Sequence, residues 1–292
     1  MKKLILFVFC AVLCVALTSC EKENDGKYNP KKKIQKVYLD NGGEKVLDQM
    51  WSWDGKLLSK IDYYSGEEIW YTDEYFYDNK NRITILYEDG DYLTFVYENG
   101  HIKTINYYWF DELEESFALY YDKNKLSKIE WTGIEVGKRD HERNLNPLEG
   151  LIPQGYEVFE KAVRKMHSQH KKSEKLIMEL TWDGKNVSHI TAYVEGDPED
   201  ITEASFTYDD KINPLKGWHT LWMDYVIGVW EDEQFTYSSL GNVLTADYIY
   251  KYEGEEYEHV VTNYTYEYDG KYPVKVTATI DGEPYFTRYY EY

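Results

Sequence analysis

The stretch Tyr92-Leu93-Thr94-Phe95-Val96-Tyr97-Glu98-Asn99-Gly100-His101-Ile102-Lys103-Thr104-Ile105-Asn106-Tyr107 decides the fold class. Its first half alternates, so successive side chains point to opposite faces of a strand. Asn99-Gly100 supplies the positive φ that a two-residue hairpin turn needs. After the turn, strict alternation places Ile102, Thr104 and Asn106 on one face and Lys103, Ile105 and Tyr107 on the other. The whole stretch is therefore expected to be one β-hairpin.

The same grammar recurs outward from it in both directions. An aromatic residue, usually an acid, a polar or glycine turn and then an apolar position appear at Trp53-Asp54-Gly55-Lys56, Tyr77-Asp78-Asn79-Lys80-Asn81-Arg82-Ile83, Tyr121-Asp122-Lys123-Asn124 and Trp182-Asp183-Gly184-Lys185. It returns at Tyr208-Asp209-Asp210-Lys211, Tyr237-Ser238-Ser239-Leu240-Gly241-Asn242-Val243 and Tyr268-Asp269-Gly270-Lys271. Leading aromatics follow one another at 20 to 31 residues, with one gap of 61. A period in this range signals a repeat architecture. Looser turns such as Tyr64-Ser65-Gly66, Glu88-Asp89-Gly90-Asp91 and Asp281-Gly282-Glu283 join one hairpin to the next. The expectation is all-β: a long antiparallel meander of about 16 to 18 strands. A sheet of that size curls, splits or closes into a barrel-like shell.

Composition agrees. The 292 residues include 31 Tyr, 9 Trp and 10 Phe but only 7 Pro, and aromatic residues favour strands. The 61-residue gap holds an insertion at about 132–175. Asn146-Pro147 and Ile152-Pro153 punctuate it. Tyr156 to His170 reads as an amphipathic helix, with Val158, Ala162 and Met166 on one face.

The N-terminus has the parts of a secretory signal. Lys2 and Lys3 precede an apolar run from Leu4 to Leu17, and Leu17-Thr18-Ser19-Cys20 closes it. The run is too short for a comfortable membrane span of about 20 residues. Cys10 and Cys14 leave with residues 1–19, so Cys20 is the one cysteine of the mature chain. That removes disulfides, thiolate catalysis and cysteine metal sites from the folded part. The chain carries a formal charge of −20, becoming −22 once Lys2 and Lys3 are gone. Phosphate backbones repel such a chain, which excludes nucleic acid as partner.

These residues carry four resemblances. Leu17 to Cys20 resembles the lipobox of bacterial lipoproteins, which implies diacylglycerol on Cys20 and a membrane partner reached through that lipid. The acids Glu21, Glu23 and Asp25 resemble the surface-export signal of Bacteroidetes lipoproteins, which implies the outer membrane and its exposed face. The aromatic–acid–turn units resemble the YD repeats of the Rhs family; Tyr77 to Ile83 and Tyr237 to Val243 match best. Length, lipobox and degenerate units resemble the Bacteroidetes lipoproteins of uncharacterised domain type DUF4595, which implies a porin-like fold. Ser238 in place of the acid, and Trp53 and Trp182 in place of Tyr, depart from the pattern. The organisation expected is a signal at 1–19, a lipidated cysteine and flexible tether at 20–33, and one domain at 34–292.

No catalytic residue, metal ligand or cofactor is assignable. His167 and His170 stand i,i+3 on the expected helix, but Lys161, Arg164, Lys165, Lys171 and Lys172 surround them with positive charge. His141 beside Glu142 is an equally weak pair. Glu195-Gly196-Asp197-Pro198-Glu199-Asp200 and Glu231-Asp232-Glu233 lack the ligand order of a calcium loop. Trp51, Trp53, Trp70, Trp109, Trp131, Trp182, Trp218, Trp222 and Trp230 either fill the sheet interior or offer planar faces to sugars. Three readings follow: a surface-anchored binding or structural module without catalysis, its partner a glycan or a surface protein; an enzyme acting on glycan or peptide; and a transmembrane β-barrel. The aromatic end Phe286-Thr287-Arg288-Tyr289-Tyr290-Glu291-Tyr292 speaks for the last, and charges on both strand faces speak against it.

Overall fold

The computed structural model describes residues 25–88, 90–133, 175–217 and 239–292. Sixteen antiparallel strands follow one another around a closed barrel, and the last pairs with the first. They are β1 (Lys36–Asn41), β2 (Glu44–Asp54), β3 (Leu57–Ser65), β4 (Glu68–Tyr77), β5 (Ile83–Glu88), β6 (Asp91–Glu98), β7 (His101–Trp109) and β8 (Glu112–Asp122). Then come β9 (Lys125–Gly133), β10 (Leu176–Asp183), β11 (Asn186–Val194), β12 (Asp197–Tyr208), β13 (Val243–Tyr252), β14 (Glu255–Asp269), β15 (Tyr272–Ile280) and β16 (Glu283–Glu291). There is no helix among the described residues. The helix expected over Tyr156 to His170 lies outside them, as do Cys20 and the signal.

The aromatic–acid–turn segments all lie at one end of the barrel, here the turn end, together with residues 25–35 and Tyr292. The looser turns lie at the far end. Turn chemistry sets the hairpins. Gly55, Asn99, Lys123, Asn124, Gly184 and Gly270 have positive φ, at 55°, 53°, 49°, 69°, 56° and 64°, as tight turns require. At Tyr77–Ile83 the turn is longer, and Asp78 organises it. Its carboxylate accepts from the backbone N–H groups of Lys80 and Arg82 at 2.8 and 3.0 Å, and from the Arg82 guanidinium at 2.8 and 2.6 Å.

Strict alternation fails just after each such turn. Tyr97 pairs with Ile102, but Val96 pairs with Thr104, so Lys103 is an extra residue in β7. The same bulge falls at Ser59, Thr84, Ser127 and Ser188. A bulge shifts the pleat by one residue. Ile102 therefore faces the interior along with Ile105 and Tyr107, and all three are buried. The expected split of Ile102 from Ile105 is corrected accordingly. A second correction concerns Tyr208. It does not lead a tight hairpin: it ends β12 and pairs with Val243 at the start of β13, across the long connection between the two strands. Tyr237 lies outside the described residues.

Inward side chains form one contiguous apolar cluster, including Trp51, Ile61, Leu86, Leu93, Phe117, Leu119, Ile129, Val187, Ala246 and Val276. The outer wall is polar. Cross-strand pairs on it include Asn106 with Ser116, His189 with Ser205, Asp247 with His259, Glu267 with Lys275 and Thr277 with Thr287. The aromatic C-terminus closes the barrel from within: Phe286 packs on the core and Arg288 and Tyr290 are buried.

Candidate functional site: an aromatic strip on the outer wall

The leading aromatics do a structural job at the turn end. Each bulge leaves a carbonyl beside it outside the regular ladder. The Tyr77 hydroxyl donates to the carbonyl of Leu58 at 2.7 Å, Tyr97 to Ile83 at 2.6 Å and Tyr121 to Ile102 at 2.7 Å. The indole N–H of Trp182 donates to Leu126 at 2.7 Å, and that of Trp53 to Ile34 at 2.8 Å. Tyr292 donates to Pro273 at 2.7 Å. The ring must therefore carry an N–H or O–H, which explains why Tyr and Trp occupy these places and Phe does not. Burial pushes the Tyr77, Tyr97 and Tyr292 hydroxyls well above the ordinary phenol range, so each remains a donor.

Residues 25–35 cross this end. Tyr28 is buried between the Trp51 and Trp53 rings, at centroid distances of 6.3 and 5.8 Å, and its hydroxyl donates to the Pro214 carbonyl. Ile34 is fully buried. The stretch read from the sequence as a tether thus carries packed side chains from Tyr28 onward, because the barrel mouth offers apolar surface to cover.

These contacts remove most of the tryptophans from the search for a site. Trp51 is buried, and Trp53, Trp109, Trp131 and Trp182 pack against the core. Trp218, Trp222 and Trp230 lie outside the described residues, as do His141, His167, His170 and Glu231 to Glu233. Glu195-Gly196 forms the far-end turn between β11 and β12. Among the described residues no three His, Cys, Asp or Glu side chains come together as metal ligands.

What remains exposed and aromatic is concentrated on β4 to β7. Phe76, Ile85, Thr94, Asn106 and Ser116 form one row across neighbouring strands. Glu74, Tyr87, Tyr92 and Tyr108 form the next. Phe76 is 47% exposed, Tyr87 40% and Val96 49%. Tyr92 and Tyr108 stack with centroids 4.8 Å apart and planes within 7°. Asp111 at the far rim accepts from the Tyr92 hydroxyl at 3.2 Å. The Asn106 amide oxygen accepts from Ser116 at 2.8 Å, between Thr94 and Ser116 in the row next to the tyrosines. A contiguous apolar patch on a polar wall is informative in a way that scattered apolar residues are not. Flat rings flanked by an amide and a carboxylate can stack on a sugar's C–H face while hydrogen-bonding its hydroxyls. Of the tryptophans singled out from the sequence, Trp70 on β4 is 49% exposed; Phe76, Tyr87, Tyr92 and Tyr108 were not singled out, and for Tyr87 and Tyr108 the outward face depends on the bulges in β5 and β7.

No protein-family model matches the chain, and no curated protein does. Among solved structures, the chain is similar to a porin-like protein from Bacteroides uniformis ATCC 8492. Identity is 10%, coverage is 90% of this chain and 98% of that one, and the TM-score is 0.50. A porin-like protein from Bacteroides vulgatus ATCC 8482 aligns with 9% identity over 89% and 98%, with a TM-score of 0.34. The first likeness is one of fold.

Proposed function

We propose that this chain is a lipoprotein held at the outer membrane by lipid on Cys20, and that its barrel is a water-facing, non-catalytic module that binds carbohydrate through the strip on β4 to β7. The units at the turn end are read as degenerate YD-like repeats in a chain of DUF4595-like type. The observation that carries the binding assignment is the stacked Tyr92–Tyr108 pair, continuous with Tyr87, Phe76 and Val96 and bordered by Asn106 and Glu74. Membrane spanning is set aside on the chemistry of the outer wall. A lipid-facing wall is an apolar band about 25 Å tall, in which a Lys near the midplane costs about 2–4 kcal/mol. Here Lys60, Lys128, Glu130, Asp247, His259 and Lys275 lie on that wall.

Two measurements test this. The mature chain carrying Cys20→Ser should be soluble and folded without detergent; a requirement for detergent would restore the membrane-spanning reading. On a glycan array, the wild-type chain should bind a defined set of polysaccharides, and Tyr92→Ala with Tyr87→Ala should abolish that binding at unchanged thermal stability. Binding that survives both substitutions, or no binding at all, would sink the carbohydrate assignment.

A further inference from the structure

The strip on β4 to β7 is long, and its two ends are as exposed as its middle. Ten large apolar side chains are exposed among the described residues, and seven of them lie on these strands or on the turn after β7. They form one track rather than scattered points. Phe76, Ile85 and Val96 lie toward the turn end. Ile69 and Trp70 near the start of β4, and Phe110 beside Asp111, carry the track to the far rim. Phe76 and Trp70 are six residues apart on one strand, a rise of about 20 Å, and β4 to β7 span about 14 Å across.

The charges on this track are negative. Glu74 faces outward on β4, Asp111 and Glu112 stand at the far rim beside Tyr92 and Tyr108, and all three are exposed. The cations around the track are engaged elsewhere. Lys60, across from Glu74, pairs with Asp62 at 2.8 Å. Arg82 holds Asp78 through two nitrogens at 2.8 and 2.6 Å. The Lys103 ammonium lies over the Tyr120 ring on β8, 4.3 Å from its centroid. The rows Glu74-Tyr87-Tyr92-Tyr108 and Phe76-Ile85-Thr94-Asn106 contain no lysine, arginine or histidine. Around them Asp62, Glu74, Asp78, Glu98, Asp111 and Glu112 outnumber Lys60, Lys80, Arg82 and Lys103.

We infer that the track takes an internal stretch of a neutral polysaccharide and rejects chains that carry uronate or sulfate groups. The inference rests on the carbohydrate reading above and names its substrate class. Length argues against recognition of one terminal sugar, since a surface of about 20 Å accommodates roughly three or four units laid end to end. Each unit held in place presents the next at high local concentration, so contacts accumulate along the chain. Charge sets the second limit. An anionic group on the ligand would meet Glu74, Asp111 and Glu112 within the screening length of about 8 Å, and the track itself offers no cation to receive it.

The test uses the mature chain carrying Cys20→Ser on an array holding neutral, uronate-bearing and sulfated polysaccharides. The bound polymers should be neutral. The tightest of them is then cut into fragments of one to six units, and affinity by titration calorimetry should rise at least tenfold from one unit to four. The same polymer with a fraction of its sugar units oxidised to uronate should bind at least tenfold more weakly. That penalty should shrink in high salt and in the Glu74→Gln, Asp111→Asn double variant. An acidic polymer bound as tightly as the best neutral one, a single sugar that matches the four-unit fragment, or a penalty indifferent to salt and to the double variant would overturn the inference while leaving carbohydrate binding in place. Binding of no polymer of any class would remove the carbohydrate reading and this inference together.

Discussion

The Tyr28 hydroxyl donates a hydrogen bond of 2.9 Å to the carbonyl of Pro214, 186 residues further along the chain. Through it the residues that enter the barrel are tied to the connection between β12 and β13. Both groups are buried, so neither can turn to water instead. Tyr28→Phe keeps the ring between Trp51 and Trp53 but leaves the carbonyl without its donor. It should cost about 1–3 kcal/mol, whereas Tyr28→Ala should cost about 3–5 kcal/mol through the cavity it opens. Urea unfolding of both variants checks the order.

The donors at the turn end make a second prediction. Tyr77→Phe and Tyr121→Phe each remove one hydrogen bond to a carbonyl beside a bulge, at Leu58 and Ile102. Each should cost about 1 kcal/mol. Their sites share no partner, so the double variant should show the sum to within about 0.5 kcal/mol. Tyr38→Phe, whose hydroxyl meets Glu291 on the exposed wall, should change stability by less than about 0.5 kcal/mol. A loss at Tyr38 equal to that at Tyr77 would mean that tyrosine hydroxyls act here without regard to the bulge.

Gly26 admits no side chain. A Cβ there would lie 1.9 Å from the Tyr97 hydroxyl oxygen, and its φ of +77° is strained for any other residue. Gly26→Ala should displace residues 25–28 from Tyr97 and destabilise the fold by about 2–4 kcal/mol, combining the strain of a special φ with local overpacking. Limited proteolysis near Lys27 should become faster. Gly254→Ala, with φ +78° but open space around it, isolates the backbone part and should cost about 1–2 kcal/mol.

Acid should act through Glu130. Lys128 donates to it at 2.6 Å, Tyr120 at 2.9 Å and Lys175 at 3.2 Å. The Lys128 hydrogen bond, opposed by partial burial and joined by those from Tyr120 and Lys175, holds its carboxyl down at about 2. A carboxylate with a depressed folded-state pKa stabilises the fold above its unfolded value, about 4.3 for glutamate, and loses that contribution as pH falls through the folded one. The melting-temperature gap between wild type and Glu130→Gln should be constant above pH 5 and shrink between about pH 4.5 and pH 2. A gap that does not change across this window would remove Glu130 from the acid response.

The candidate strip was only partly legible. Tyr92, Thr94 and Val96 alternate with Leu93 and Phe95 in plain view, and the structure indeed puts the first set outward. Phe76 and Ile85 gave no such sign. Thr84 is an extra residue in β5, so the pleat after Ile83 runs opposite to a count from the turn. Among the described tryptophans Trp70 alone is exposed, at 49%; the others misled for a related reason. An indole N–H can satisfy a buried carbonyl, and Trp53 and Trp182 are used in that way rather than offered to solvent.

By itself the sequence determined the all-β class, the hairpin at Asn99-Gly100, the positions of most turns and the absence of cysteine from the folded part. Those follow from local chemistry: positive φ at Asn and Gly, carboxylates that accept from turn N–H groups, and side chains that alternate along a strand. Tertiary structure alone decided that β16 returns to pair with β1, and that Tyr208 pairs with Val243 across one long connection. It also decided which tyrosines bond inward and which face outward. A one-residue bulge beside the aromatic–acid turns reverses the face of everything that follows, and closure joins residues more than 250 positions apart, such as Lys36 and Glu291. Neither the reversal nor the closure leaves a mark within a window of neighbouring residues.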